Sequence, residues 1–426
     1  MAVRSADQGV GRGQPSRSIQ PPAHEPTAYG DEVDLETFRW LLTPSGQLLL
    51  EAASGLPEES LATTKALRRT AEPAQVAAAL TQVGLRRRGE AKYGALAAQM
   101  YFTPDGLEQA TRFAVAAHRA ARAAAFAESV VDLGCGIGGD LIAFARAGLT
   151  AVGVDQDPVR VAVATANLDA LDLGGAVSVA DATTVDTAPF DMAFADPARR
   201  TARGRTFDPA AFTPSWSFVE GLLTRDACVK LAPGLPHDLV PEGVEAEWVS
   251  DHREVKEAVL WSGRLATTRR RATVIGDGGL ATMTDEDDPG SGTGALSDFL
   301  YEPDGAVIRA GLVTAVAAGV GGHLLDEHIA YVTSAHAFHS PFARSYRVLE
   351  EVPFRERPLR AALRERGIGR LTIKKRGVSV VPEELRKRLS LRGDREATLV
   401  LTRVAGQGTA LLVDPLPGTA LSVDLP

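Results

Sequence analysis

The chain has 426 residues, 45% of them hydrophobic and 23% charged, which suits a soluble globular protein of two or three domains. No apolar run reaches the ~18–20 residues of a membrane span, residues 1–30 lack the apolar core of a secretory signal, and the net charge of −8 argues against a surface wrapped throughout in nucleic acid. The two cysteines, Cys135 and Cys228, have no ligand-like spacing, so a reduced, cytoplasmic protein without metal is expected.

Residues 1–30, rich in Gly, Pro, Ser and Gln, read as a disordered tail. Residues 31–127 read as a helical domain, because Leu35, Phe38, Leu41 and Leu42, then Val76, Ala79, Leu80 and Val83, recur at helical spacing. Thr103 and Pro104 form an N-cap followed by proline at the first helical position, opening a helix expected to run to about Ala125. Over residues 128–284 strands alternate with helices. Strands are expected at Ser129–Leu133, Thr150–Val154, Val177–Ala180, Phe190–Ala195 and Ala227–Leu231. Three more, Glu245–Val249, Val255–Trp261 and Arg271–Ile275, follow without intervening helices. This order predicts an α/β fold with a doubly wound, Rossmann-like sheet and an antiparallel edge.

Residues 285–294 have the composition of a linker, and residues 295–426 form a third unit. Its end is the better marked part. Strands at Arg370–Ile373 and Val378–Val381 flank a turn of Lys374, Lys375, Arg376 and Gly377, followed by a helix at Pro382–Leu389 and a strand at Ala397–Val404. From Glu350 to Arg403 there are 15 Arg and Lys against 8 Asp and Glu, which fits either a solvated charged face or a polyanion contact. His323, His328, His336 and His339 are too irregularly spaced for a helical metal site.

The most informative stretch is the glycine-rich turn VVDLGCGIGGD at Val130–Asp140. Gly134, Gly136 and Gly139 satisfy G-x-G-x-x-G, and Asp155 lies 19 residues beyond Gly136, where a ribose-binding acid belongs. Those two features fit a nicotinamide dehydrogenase as well as an S-adenosylmethionine enzyme. Asp132, two residues before Gly134, is awkward beside a pyrophosphate but suits a ligand carrying an ammonium and a sulfonium. Asp181 closes the third strand, where it can accept from an adenine amino group, and Asp196-Pro197-Ala198-Arg199 closes the fourth. Four acids at successive strand ends converge on the crevice where doubly wound sheets bind ligands. Each alone also reads as an N-cap or turn former.

Here the chain resembles the class I S-adenosylmethionine-dependent methyltransferases, over about residues 128–275, on VVDLGCGIGGD, VGVDQDP, VADA and DPAR. The resemblance implies S-adenosyl-L-methionine as cofactor. Asp132 and Gly134, Gly136 and Gly138 would cradle its methionine part, Asp155 the ribose, and Asp181 with Ala182 the adenine. Gln156 stands where the family often has an apolar residue. GIGGDLIAFARAG and the segment after it are similar to the trimethylguanosine synthase type of RNA methylase, in which a stretch like Tyr101-Phe102-Thr103-Pro104 helps cover the cofactor. That likeness puts Thr103 at the cofactor; a plain N-cap is the other reading. Asp196 and Pro197 match the acid and first proline of the amino-methylase motif, but Ala198-Arg199 replaces its proline and aromatic. Arg199 or Arg200 would then meet phosphate or a base face, unless they pair with carboxylates. LTIKKRGVSV and EATLVLTRV, within about 350–405, resemble the THUMP-like domain of bacterial methyltransferases, which implies RNA, with Lys374, Lys375 and Arg376 meeting phosphates. The resulting expectation is a methyltransferase acting on tRNA or rRNA. The alternatives are a small-molecule methyltransferase, or a cofactor-binding protein that has lost catalysis.

Overall fold

The fold comes from a computed structural model that describes residues 34–56, 61–199 and 212–417. The tail expected over 1–30 and the candidate Arg200 lie outside the described residues. Six helices come first: α1 (Leu35–Leu41), α2 (Pro44–Ser54), α3 (Leu61–Leu67), α4 (Pro73–Tyr93), α5 (Pro104–Gln109) and α6 (Phe113–Ala124). The single helix expected from Thr103 to Ala125 is two. Lys92 Nζ donates to the carbonyls of Leu107, Glu108 and Ala110 and so closes α5. Ala110 is extended, and Arg112 starts α6 as its N-cap residue.

The alternating region follows as β1 (Ser129–Leu133), α7 (Gly139–Arg146), β2 (Thr150–Asp155), α8 (Pro158–Ala170), β3 (Ala176–Val179), β4 (Met192–Ala195), β5 (Ala198–Arg199), β6 (Phe212–Thr213), α9 (Trp216–Leu222), β7 (Ala227–Leu231), β8 (Glu245–Asp251), β9 (Glu254–Ser262), β10 (Arg270–Gly276) and β11 (Gly279–Thr284). Nine of these strands form one sheet in the order β11-β10-β8-β9-β7-β4-β1-β2-β3. The run β7-β4-β1-β2-β3 is parallel. β9 is antiparallel to both β7 and β8, β10 is parallel to β8, and β11 closes an antiparallel edge.

The central strands read as unbroken apolar runs because both faces are covered. Val130, Met192 and Phe194 face a core shared with α7, α8 and the N-terminal helices. Val131, Leu133, Ala193 and Ala195 face the opposite core with α9. A buried ionic cluster fastens α6 to the sheet. Arg119, 1% exposed, bridges Asp140 of α7 and Glu257 of β9. Arg122 pairs with Glu245 and Glu247 of β8, and His118 with Glu247.

The third unit contains β12 (Phe299–Pro303), α10 (Gly305–Ala310), α11 (Val313–Gly319), β13 (His323–Asp326), β14 (Ile329–Ser334), β15 (Ala343–Val352), α12 (Glu356–Glu365), β16 (Ile368–Lys375), α13 (Pro382–Leu389), β17 (Arg395–Val404) and β18 (Gln407–Pro415). Its seven strands form a second sheet, β13-β14-β12-β15-β18-β17-β16. Ala306, Val307, Ala310 and Val332 share a core with Ala246 and Trp248 of the first sheet, so the two sheets pack as one body. Two expectations need correction. Val378–Val381 is no strand, because β16 and β17 are parallel and the chain between them is spent on the α13 crossover. Lys374 and Lys375 sit within β16, not on a turn.

Candidate active site

The strand order reverses at β1, between β2 and β4, and a cleft of about 860 Å³ opens beyond the C-terminal ends of these strands. The glycine loop forms its floor. Gly134, Gly136 and Gly138 have φ of 94°, 57° and 86°, left-handed values that cost other residues more. A Cβ at Gly134 or Gly136 would meet no atom within 4 Å; it would project into the open cleft. The loop is tied to β2: Gly134 and Cys135 donate to the Val154 carbonyl at 2.8 and 2.9 Å, and Gly136 donates to Asp155 Oδ2 at 2.9 Å.

Acidic side chains ring this floor. Asp132 is 1% exposed, lines the cleft, and has no hydrogen-bond partner on either carboxylate oxygen. Burial, with Asp140 and Asp196 nearby, pushes its carboxyl well above the usual range despite Arg119. Asp155 accepts from Gly136 and from the Asp157 amide at the end of β2. Asp181 is exposed at the cleft and caps a short turn, accepting from Thr183. Asp196 directly follows β4 and is paired with Lys230 of β7, while Pro197 lines the cleft beside it. Burial of Lys230 lowers its affinity for a proton, but Asp196, Asp140 and Glu257 outweigh this and hold the ammonium charged. Burial and the nearby Asp132 and Asp155 push the Cys135 thiol up, far from the thiolate a nucleophile needs.

The N-terminal helices supply one wall, through Gly106, Gln109, Ala110 and Thr111. The segment expected to cover the cofactor is clamped from two sides. Asn167 of α8 accepts from the Tyr101 amide and donates to the Tyr101 and Ile137 carbonyls. Gln82 of α4 accepts from and donates to the Phe102 backbone. Gly106 permits the close approach, since a Cβ there would sit 2.4 Å from Ile137 Cγ2 of the glycine loop.

Comparison with known proteins decides what this cleft holds. The description "Methyltransferase domain" matches residues 130–201, "THUMP domain-like" matches 343–415, and a domain of unknown function matches 34–89. In two strains of Mycobacterium tuberculosis, a protein named an uncharacterized S-adenosylmethionine-dependent methyltransferase is 39% identical over 332 residues, covering 75% of this chain and 90% of the relative. The chain is a class I S-adenosylmethionine-dependent methyltransferase with a C-terminal THUMP-like domain. A crystal structure of a putative methyltransferase from Porphyromonas gingivalis W83 shares the fold, with a TM-score of 0.66 and 23% identity over 89% of this chain and 97% of that one.

The methyltransferase's residues fit its cofactor, S-adenosyl-L-methionine. Two unpartnered buried oxygens on Asp132 match an ammonium, and the open space over Gly134 and Gly136 admits a ligand where side chains would block it. Sequence-selected Asp132, Gly134, Gly136, Asp155, Asp181, Ala182, Asp196 and Pro197 all line the one cleft. Gly138 lies beneath it, where an added Cβ would press on Ala164 at 3.2 Å. Thr103 is not part of the lining. Its hydroxyl accepts from the Gly106 amide and caps α5, the other of the two readings its sequence allowed.

Lys374, Lys375 and Arg376 lie away from the cleft, on the second sheet and the bend that follows its strand β16. The Arg199 backbone pairs in β5 with β6. Lys374 Nζ is bound to Glu302 and lies over the Tyr346 ring, and Arg376 lies over the Tyr331 ring. Lys374 lies in β16 with its ammonium paired, which corrects its placement on a turn, whereas Arg376 does lie on the bend after the strand. Lys230 was invisible to sequence reading, because its partner is 34 residues away. Its one signal is a lysine inside the otherwise apolar strand Ala227–Leu231. Among the described residues, no group of three His, Cys, Asp or Glu is placed to hold a metal, and no helix is long and apolar enough to cross a membrane.

Proposed function

We propose that this methyltransferase modifies RNA, transferring a methyl group in line onto a base of tRNA or rRNA. The observation that carries the reading is the THUMP-like unit at 343–415, whose sheet shares an apolar core with the catalytic sheet and can present a large substrate to the cleft. When bound, S-adenosyl-L-methionine supplies a methyl group on a sulfonium, an already activated leaving group. The chain's task is alignment, an effect able to contribute ~7–11 kcal/mol. Asp132 holds the ammonium of the methionine part, Asp155 the ribose hydroxyls, and Asp181 with Ala182 the adenine. Asp196 accepts a hydrogen bond from the acceptor amine and turns its lone pair toward the methyl carbon. Pro197 fixes the backbone that follows. With the cofactor bound, the methyl carbon would pass to that nitrogen and the electron pair of the broken carbon–sulfur bond would stay on sulfur. The amine then sheds a proton toward Asp196 and solvent.

Lys230 holds Asp196 in place for this task. Lys230→Met is expected to slow methyl transfer by about 2–3 kcal/mol, roughly 30- to 150-fold, because it leaves a charged group without its partner. Cofactor affinity measured by calorimetry stays within about threefold, since Lys230 is assigned no contact with the cofactor. Equal rates for the variant and the parent would remove Lys230 from the site.

The substrate reading is tested by incubating the protein and radiolabelled methyl donor with total RNA from cells that lack the gene. Label is expected in tRNA or rRNA. A small-molecule acceptor is the second reading, favoured by the wall that Gly106, Gln109, Ala110 and Thr111 build over the cleft. Tight cofactor binding with no label in any RNA decides for it, or for a protein without catalysis.

A further inference from the structure

A second groove, of about 1030 Å³, lies between the turns that end β8 and β10 and one face of the second sheet, formed by β15 to β18. It opens at the same edge of the catalytic sheet as the cofactor cleft. β9 is antiparallel to both β7 and β8, so β8 and β10 run in the same direction as β4, and their C-terminal ends share its edge. In the order β4-β7-β9-β8-β10 the groove is three to four strand spacings from Asp196, roughly 14–20 Å. Lys256 lines the cleft only three residues beyond the β8–β9 turn.

That turn is unusual. Asp251 pairs with Glu254, leaving a two-residue loop of His252 and Arg253 with φ of 49° and 67°. Both positions demand left-handed backbone, which Asn-Gly or Asp-Gly supplies at lower cost. Here two cationic-type side chains occupy them, and both line the groove. His252 is held between Asp251 and Asp277, which raise its affinity for a proton. Across the groove stand Arg344, which is hydrogen-bonded to Tyr346, and exposed His339. Among the described residues, ion pairs engage His252 and Lys374 but neither Arg253 nor Arg344, and both arginines are exposed.

We propose that this groove holds the backbone of a single-stranded RNA segment, with Arg253 and Arg344 on successive phosphates, while a neighbouring base reaches Asp196. The inference rests on the RNA reading above. Exposed guanidinium groups outside any ion pair are the chemistry that tracks the backbone of single strands. A turn that places two cationic-type side chains on left-handed backbone points to use and not to folding.

The test uses the full chain and a fluorescein-labelled single-stranded oligouridine. Arg253→Gln with Arg344→Gln is expected to weaken binding about tenfold and to cut the slope of log affinity against log salt by about 1.4, from ~0.7 per phosphate contact. Affinity for S-adenosylmethionine stays at the parent value. A control that removes the same charge from the N-terminal region, Arg68→Gln with Arg69→Gln, is expected to bind as the parent does. Arg253→Gly relieves the turn, so its melting temperature holds or rises while RNA affinity falls; a purely structural role would leave RNA affinity unmoved. Unchanged binding and slope in the double variant, or equal loss in the control, overturns the groove. If the parent labels cellular RNA and the double variant still binds normally, the groove is wrong and the RNA reading stands. If the parent labels no RNA, both fall.

Discussion

Asp132→Asn is expected to stabilise the ligand-free methyltransferase and to weaken its grip on S-adenosylmethionine. Both effects come from one buried carboxyl group with no partner on either oxygen. An amide of the same size removes the cost of burying an unpaired charge but cannot hold an ammonium. Truncating one partner of a buried charge pair typically costs about 2–4 kcal/mol of binding, roughly 30- to 900-fold in affinity. The sign of the pH dependence follows from the raised folded-state pKa of Asp132, caused first by burial and then by Asp140 and Asp196. The ligand-free fold binds this proton more tightly than the unfolded chain, where the pKa is about 3.9. Its stabilising contribution is therefore complete below that value and is lost as pH rises through the folded one. Thermal melts at stepped pH should show this slope in the parent and lose it in Asp132→Asn. Calorimetry should show cofactor affinity rising with pH toward the folded pKa, with proton release. An affinity in the variant within threefold of the parent would falsify the ammonium assignment.

Arg119→Met is expected to lower stability by about 3–5 kcal/mol, because it strands two carboxylates that one buried guanidinium had satisfied. At ~2.1 cal/mol/K of unfolding entropy per residue, a chain of 426 residues shifts by about 1 °C per kcal/mol, so the melting temperature falls by roughly 3–6 °C. Adding Glu257→Gln removes one stranded charge and should recover part of the loss, since Glu257 is fully buried. Cofactor affinity should fall as well: Arg119 and Thr111 hold Asp140, which lines the cleft at the start of α7. A melting temperature unchanged by Arg119→Met would show that the cluster contributes nothing to the fold.

The cofactor half of the site was legible because its chemistry is local. Glycines at Gly134, Gly136 and Gly138 announce left-handed backbone, and acids at strand ends announce the crevice. The pieces that escaped are made by distance along the chain. Arg119 meets Glu257 across 138 residues, and Lys230 meets Asp196 across 34. No window of sequence carries either pair. Lys374 misled for a related reason: a run of basic residues looks like a turn on offer to phosphate, until Glu302, 72 residues earlier, claims it. The break after α5 depended on Lys92 reaching the carbonyls at its end, a contact with no periodic signature. The groove's cations carry no local signal because His252, Arg253 and Arg344 come from two sheets, and the left-handed backbone of His252 and Arg253 has no sequence signature of the Asn-Gly kind.

The second sheet has a consequence for how this protein can be divided. The THUMP-like match begins at residue 343, the first residue of β15, yet β15 is hydrogen-bonded to β12, which the match leaves out. A fragment cut at that boundary would carry a ten-residue strand with one whole side of its ladder unpaired. Such an edge recruits any strand it meets, including a copy of itself. The folding unit is therefore larger than the matched segment, and an excised version must start before Phe299 to keep that edge covered.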